Sequence, residues 1–456
     1  MFSDSLEYEE RVCKSFVAPN ITYKEVRDSV PKHLLVKNAW VSTYYYVRDI
    51  GCCIAFFYFA ASIEWIVTSG ICDYIPLLGL VKMRLVKGLL WVTYWWMQGL
   101  AFSSFFFLGH ELGHQSLYNS GYANDILGYF LHSFILSPFF AWKSSHNTHH
   151  RTVGSVERDV NYVPHGRSRY NLPPRAQSTT KDFLDVFDEA PIFTLMRLLF
   201  MQFAGWWLYL TINSMGCKKY LNSSHFSPRS PIFRPDERMG IVLSDLGVLG
   251  MGYVLYCMIG MYGLKTVTAY YFIPFMVRML LIGYCGLNLR VLRTVLQSLV
   301  SGLRFVNQWN APMNLLDFIR IVMVTFLQHS DPTVPHYRKQ EWTWIRGAIA
   351  TIDRPLLGGM GRFFMHNVVH CHVAHHLFAH APFYNLPEIT ECIRGVLKDH
   401  YVYDSTNSFY ALYRSFTQCL FIEDEDVIAF YKNKYGESVR EAESQSKVSD
   451  KQCKQE

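Results

Sequence analysis

Gly109-His110-Glu111-Leu112-Gly113-His114-Gln115-Ser116 follows directly on the apolar run 89–108, and the reading of the whole chain turns on it. Histidines four residues apart fall on one face of a helix and can hold one metal ion between them. His110-Glu111-Leu112-Gly113-His114 also satisfies the H-E-x-x-H pattern of a zinc peptidase, in which Glu111 would be the general base on metal-bound water. The rest of the chain has to decide between metal chemistries.

The chain has 456 residues, half of them hydrophobic and 16% aromatic, with only 18% charged. Several long uncharged runs read as an integral membrane protein rather than a soluble one of two or three domains. A formal charge of +6 without a basic stripe fits cations flanking a membrane, and no nucleic-acid partner is expected. The eleven cysteines lack any repeated C-x-x-C spacing, and Cys52, Cys53, Cys257 and Cys285 lie in apolar runs. They read as buried small hydrophobes, not as disulfides or a zinc ribbon. The polar N-terminal residues hold no apolar core of a cleaved signal.

The expected fold is all-α, with about four transmembrane helices in two hairpins, interfacial helices, and a cytosolic helical cap carrying the histidines. Residues 1–47 form a cytosolic segment, with an acidic mobile tip and a capping box at Thr22-Tyr23-Lys24-Glu25 that opens a short helix ending near Pro31. Residues 48–436 form the membrane domain, and the charged tail 437–456 is expected to be disordered. Spans are placed at 50–67, 86–108, 241–264 and 266–285. Residues 121–142 are read as one interfacial helix and 151–190 as a polar loop. The segment 192–216 carries Arg197 and is laid flat, because a fifth span would put the last histidines on the wrong side. Lys82, Arg84 and Lys87 then fall on the lumenal side, against the positive-inside rule.

Eight of the eighteen histidines fall in three tight groups, His110 and His114, then His146, His149 and His150, then His372, His375 and His376. The last two groups share H-x-x-H-H, which puts three imidazoles on one side of a helix. Eight ligands exceed the three that a catalytic zinc takes and suit two metal ions. Imidazole suits iron, and two irons can activate dioxygen for attack on a C–H bond.

With these boxes the chain resembles the membrane-bound fatty acid desaturases, and among them the microsomal Δ12 (oleate) desaturases, the fungal ones especially. The resemblance spans roughly residues 20–435. It rests on the three boxes and on Ser155-Val156-Glu157-Arg158-Asp159-Val160-Asn161-Tyr162-Val163-Pro164, Tyr46-Val47-Arg48-Asp49 and His225-Phe226-Ser227-Pro228. Leu327-Gln328-His329-Ser330-Asp331-Pro332 and Glu341-Trp342-Thr343-Trp344 add to it.

The resemblance implies a di-iron, O2-dependent oxidoreductase in the endoplasmic reticulum membrane, its boxes on the cytosolic face, acting on acyl lipids. The eight box histidines carry over as iron ligands and His329 as a ninth, the bland reading of His329 being an interfacial histidine. In place of a peptidase base, Glu111 is expected to orient a ligand or to sit as an acid at the helix end. Electrons would come from cytochrome b5 and its reductase as separate chains, since no His-Pro-Gly-Gly motif is present. Lys143 and Arg151 are either its docking surface or a plain solvated face. A homodimer, an ω3 or bifunctional desaturase, and a hydroxylase or conjugase all stay open. Aromatic residues Tyr94, Trp95, Trp96 and Phe105–Phe107 either line an acyl channel or pack the membrane core.

Two features depart from the family pattern. Residues 277–320 read as an insertion, with a basic amphipathic stretch at 287–306, and stand either for a real membrane-surface segment or for translated intron sequence. His370-Cys371 replaces acidic or hydroxylated residues, so His370 either orients a ligand histidine or lies on the surface.

Overall fold

The computed structural model describes residues 3–69, 79–282 and 323–443. The intron question, the stretch 287–306 and residues 444–456 lie outside the described residues.

Among the described residues the chain is helical apart from a two-residue antiparallel pair, β1 (His336–Tyr337) with β2 (Ile428–Ala429). Near the N-terminus stand α1 (Leu6–Val12) and α2 (Tyr23–Asp28), the latter opened by the expected capping box of Thr22 and Glu25. Two long helices follow, α3 (Ala39–Thr68) and α4 (Gly79–Gly113), packed along each other as the expected first hairpin. Glu64 and Lys87, charges stranded within apolar runs, form an ion pair across that hairpin.

The expected single helix over 121–142 is two helices, α5 (Gly121–Phe134) and α6 (Phe139–Thr152). Leu136 takes a left-handed conformation (φ 53°), and Pro138, which has no N–H for a continuing helix, caps α6. The break turns α6 back onto α4. Polar loops then lead through α7 (Thr180–Phe187) to α8 (Pro191–Ile212) and α9 (Arg238–Tyr262). The next expected span, 266–285, is not one straight helix. It is α10 (Leu264–Val267), a wide π turn over Thr268–Phe272, and α11 (Ile273–Ile282), which packs on α4.

Among the described residues three helical segments are long and apolar enough to cross a membrane, Ala39–Thr68, Pro191–Ile212 and Pro235–Tyr262. The second is the segment that the sequence reading laid flat on account of Arg197. That guanidinium is paired within the protein, bonded to Glu189 at 2.9 Å and lying over the Phe416 ring. The polar residue that argued against a span therefore carries no such weight.

The C-terminal third forms a cap of short helices, α12 (Met323–His329), α13 (Trp344–Ile349), α14 (Gly358–Phe364), α15 (His372–Leu377), α16 (Leu386–Leu397) and α17 (Ser408–Gln418). One apolar core runs through membrane helices and cap alike, from Phe102 and Phe106 to Val373, Ile389 and Phe416. Asp49 of α3, fully buried, ties the two together by accepting from His366 Nε2 at 2.8 Å and pairing with Arg48.

Residues 4–12 are held, contrary to the mobile tip expected from their charge, and so are 437–443, the described part of the tail. α1 docks through Ser5 and Arg11 on residues 333 and 403–406. Phe16 pairs with Ala442 in a parallel bridge, so 437–443 belong to the folded body.

Candidate metal centre

α4 runs past its apolar part with His110 in its last turn and His114 on the residue after its end, and Gln115 then turns left-handed (φ 58°). Gly109 is required in that turn. A Cβ there would stand 2.2 Å from the buried ring of His132 on α5, whose Nε2 donates to the Phe106 carbonyl at 3.1 Å. α6 carries His146, His149 and His150, α12 ends on His329, and α15 carries His372, His375 and His376.

The structure brings all nine of these histidines together. Ligand-capable atoms of His110, His114, His146, His150 and His375 lie within 4.8 Å of one another, as do those of His149, His329 and His376. His372 joins the second group, its Nε2 3.1 Å from the Nε2 of both His329 and His376. The groups touch where the His150 and His376 rings stack at 4.1 Å.

Facing Nε2 atoms stand 2.9 Å apart for His110 and His146, 3.1 Å for His146 and His150, and 3.2 Å for His150 and His375. Two imidazoles bound at about 2.1 Å lie about 3.0 Å apart at octahedral angles and about 3.4 Å apart at tetrahedral ones. The spacing matches the octahedral set. Nε2 of His114 and of His149 are buried without a hydrogen-bond partner, as befits atoms whose partner is a cation.

On four of the rings the opposite nitrogen is held by an acceptor, which leaves Nε2 with its lone pair turned inward. His149 Nδ1 donates to Asp159 at 2.8 Å, His114 Nδ1 to Asn147 Oδ1 at 3.0 Å, His110 Nδ1 to Glu111 Oε1 at 3.0 Å, and His372 Nδ1 to the Val368 carbonyl at 3.3 Å. Glu111 also faces His375 Nδ1 at 3.6 Å and accepts from the Ser116 hydroxyl at 2.9 Å. Its oxygens are thus occupied behind the ligands, and the orienting role expected of it fits where the peptidase base does not. Burial pushes the Glu111 carboxyl up to about 8, with Ser116 pulling it back. Burial lowers the His114 and His372 imidazoles to about 3, which keeps these two in the neutral, ligating form.

The family model described as fatty acid desaturase matches residues 89–408, which include every one of these histidines. The chain belongs to the fatty acid desaturase family. It is 34% identical to a Delta(12) fatty acid desaturase of Mortierella isabellina and 33% identical to one of Mortierella alpina, each match covering 92% of both chains. An oleate hydroxylase of Claviceps purpurea is 30% identical over 92% of this chain and 82% of its own. The chain is accordingly an oxidoreductase, a membrane-associated desaturase whose histidine groups are compatible with a di-iron centre.

In this desaturase a cavity of about 740 Å³ opens beside the centre, with His114, His150 and His376 in its wall and Lys143, Arg151, Tyr23 and Trp344 around them. Lys143 is paired with Asp125 at 2.5 Å, and the Trp344 indole donates to the His150 carbonyl at 2.9 Å. None of Tyr94, Trp95, Trp96 or Phe105–Phe107 lines that cavity. Tyr94 and Trp95 instead bond the Tyr270 and Ala269 carbonyls, in keeping with membrane-core packing.

His370 is neither a surface residue nor an orienting group. It is buried, and neither ring nitrogen has a hydrogen-bond partner among the described residues. The group that positions the third box is Asp353, which the sequence reading missed. Its Oδ1 accepts from Val373 N at 2.8 Å, closing the N-terminus of α15, and its Oδ2 from the Tyr401 hydroxyl at 2.5 Å. Nothing local marks it, since the contact spans 20 residues.

Proposed function

We propose that this desaturase is a di-iron, O2-dependent acyl-lipid Δ12 desaturase converting oleoyl to linoleoyl chains at the cytosolic face of the endoplasmic reticulum membrane. The observation that carries the reading is the pair of facing histidine groups, with orphaned Nε2 atoms and octahedral spacing. In this reading His110, His114, His146, His150 and His375 hold one iron, and His149, His329, His372 and His376 the other. Bound iron supplies the one-electron oxidising power that amino acids lack.

The chain's own residues do the rest. Glu111, Asn147 and Asp159 fix ring orientation from behind. Trp142 stacks on His146 at 4.4 Å and also meets the His110 ring at 5.3 Å, packing an apolar wall against the first group. The chemistry balances with one dioxygen and two electrons, which a separate cytochrome b5 provides. Two hydrogens leave adjacent methylenes, and with two protons from solvent they emerge as two waters. Geometry selects the carbons, because the acyl chain must reach the groups in one bent pose.

Regioselectivity follows the two Mortierella relatives, both named for Δ12. The Claviceps relative keeps a hydroxylase reading in view, since it is similar over the same share of this chain. Expression in yeast with fatty-acid profiling separates them. New linoleate is the expected product; 12-hydroxyoleate would replace the Δ12 reading with the hydroxylase one, and linolenate from fed linoleate with an ω3 one.

A further inference from the structure

Behind His329 lies a group of buried charge that the chemistry above does not use. Arg354 and Arg414 are 1% and 2% exposed, and Asp331 and Asp404 are fully buried. Arg354 bonds the Leu327 carbonyl, Asp331 and Asp404. Arg414 bonds Asp404 Oδ2 at 2.6 Å and Asp331 Oδ2 at 3.2 Å, and the neighbouring Ser415 hydroxyl donates to the Ser330 carbonyl at 2.9 Å. Residues 327, 330 and 331, on both sides of His329, are therefore fixed by this network.

The N-terminus docks on this network. Arg354 and Arg414 balance Asp331 and Asp404 charge for charge, and the segment adds one charge of each sign, Arg11 and Asp4. Asp4 pairs with Arg414, and the Tyr8 ring covers the same guanidinium at 3.5 Å. Arg11 Nε donates to Thr333 Oγ1 at 3.1 Å, and Ser5 Oγ to Asp404 Oδ1 at 2.8 Å. None of these bonds reaches α4 or α6. A buried guanidinium that loses one of its carboxylates and the ring that covers it is opened to water, and here the residues that would move flank His329.

We infer that Asp4–Arg11 is a positioning element of the second histidine group alone, so that losing it empties that group of metal while the first keeps its ion. The inference rests on the two-iron reading and is tested separately from it. Full-length chain, a chain lacking residues 2–12, and the full-length double variant Asp4→Asn/Tyr8→Leu are purified in detergent, and iron per chain and the ferric EPR spectrum are measured. The unaltered chain should hold about two irons as a coupled, EPR-silent ferric pair, and both variants about one, with an isolated high-spin ferric signal. Asp4→Glu, which keeps the counter-charge, should restore the pair. Variants that retain two coupled irons would overturn the inference, and so would variants that lose both irons together, since the segment would then merely support the whole fold. Fewer than two irons in the unaltered chain would instead overturn the two-iron reading itself.

Discussion

His110 and His114 project from the end of a helix of 35 residues and His146 and His150 from one of 14, whereas His329 ends a helix of 7 and His376 sits on one of 6. The long helices set their histidines by their own hydrogen-bond ladders and by close packing, with Gly109 under His132 as the tightest point. The short ones are too brief to hold themselves and are fixed from outside, α15 by Asp353 and α12 by the buried Arg–Asp network. Four of the five histidines of the first group thus come from the end of α4 and from α6, and three of the four of the second from α12 and α15, with His375 and His149 crossing over. The first should tolerate loss of distant residues better than the second.

The largest effect that bears on this contrast comes from the ligands. His376→Ala or His146→Ala should abolish product in yeast, and iron analysis should show at most about one ion left in each. Full activity in His376→Ala would leave only the first group in play and dissolve the comparison.

Next come the groups behind the ligands. Asp159→Ala and Glu111→Ala should each weaken metal retention by about 10- to 100-fold, the first at His149 and the second at His110 and His375, read by chelator competition. Equal loss from both groups in either variant would show that they are not separately built.

Gly109→Ala drives a methyl into the His132 ring, and overpacking of this kind costs about 1–3 kcal/mol. Thermal unfolding in detergent should show it, with the first group failing before the second. The smallest effect is expected for Asp353→Asn, which keeps an acceptor at the end of α15. A loss of about 1 kcal/mol, with a few-fold drop in iron affinity felt more in the second group, which takes His372 and His376 from α15, than in the first, which takes only His375, would sharpen the contrast.

The sequence made the three boxes legible because helical spacing is local. Histidines at i, i+3 and i+4 share a face whatever the fold, and three such faces in one chain imply convergence. His329 carries no such pattern and was reachable only through the family resemblance. Asp159 and Asn147 stood inside quoted motifs, yet their part depended on which ring nitrogen pointed where. Asp353, Asp331, Asp404 and Asp4 were illegible for a different reason, since a buried ion network joins residues up to 410 positions apart. Charge composition misled as well. An acidic N-terminal tip suggested mobility, and its partner Arg414 could not be seen locally.

The pairing of residues 4–11 with residues 403–414 also orders events in time. Residues 4–11 are made roughly 400 residues before their partners and find this place only once nearly the whole chain exists. On the two-iron reading, a chain cut short before Arg414 would carry its first histidine pair and lack the network that flanks His329.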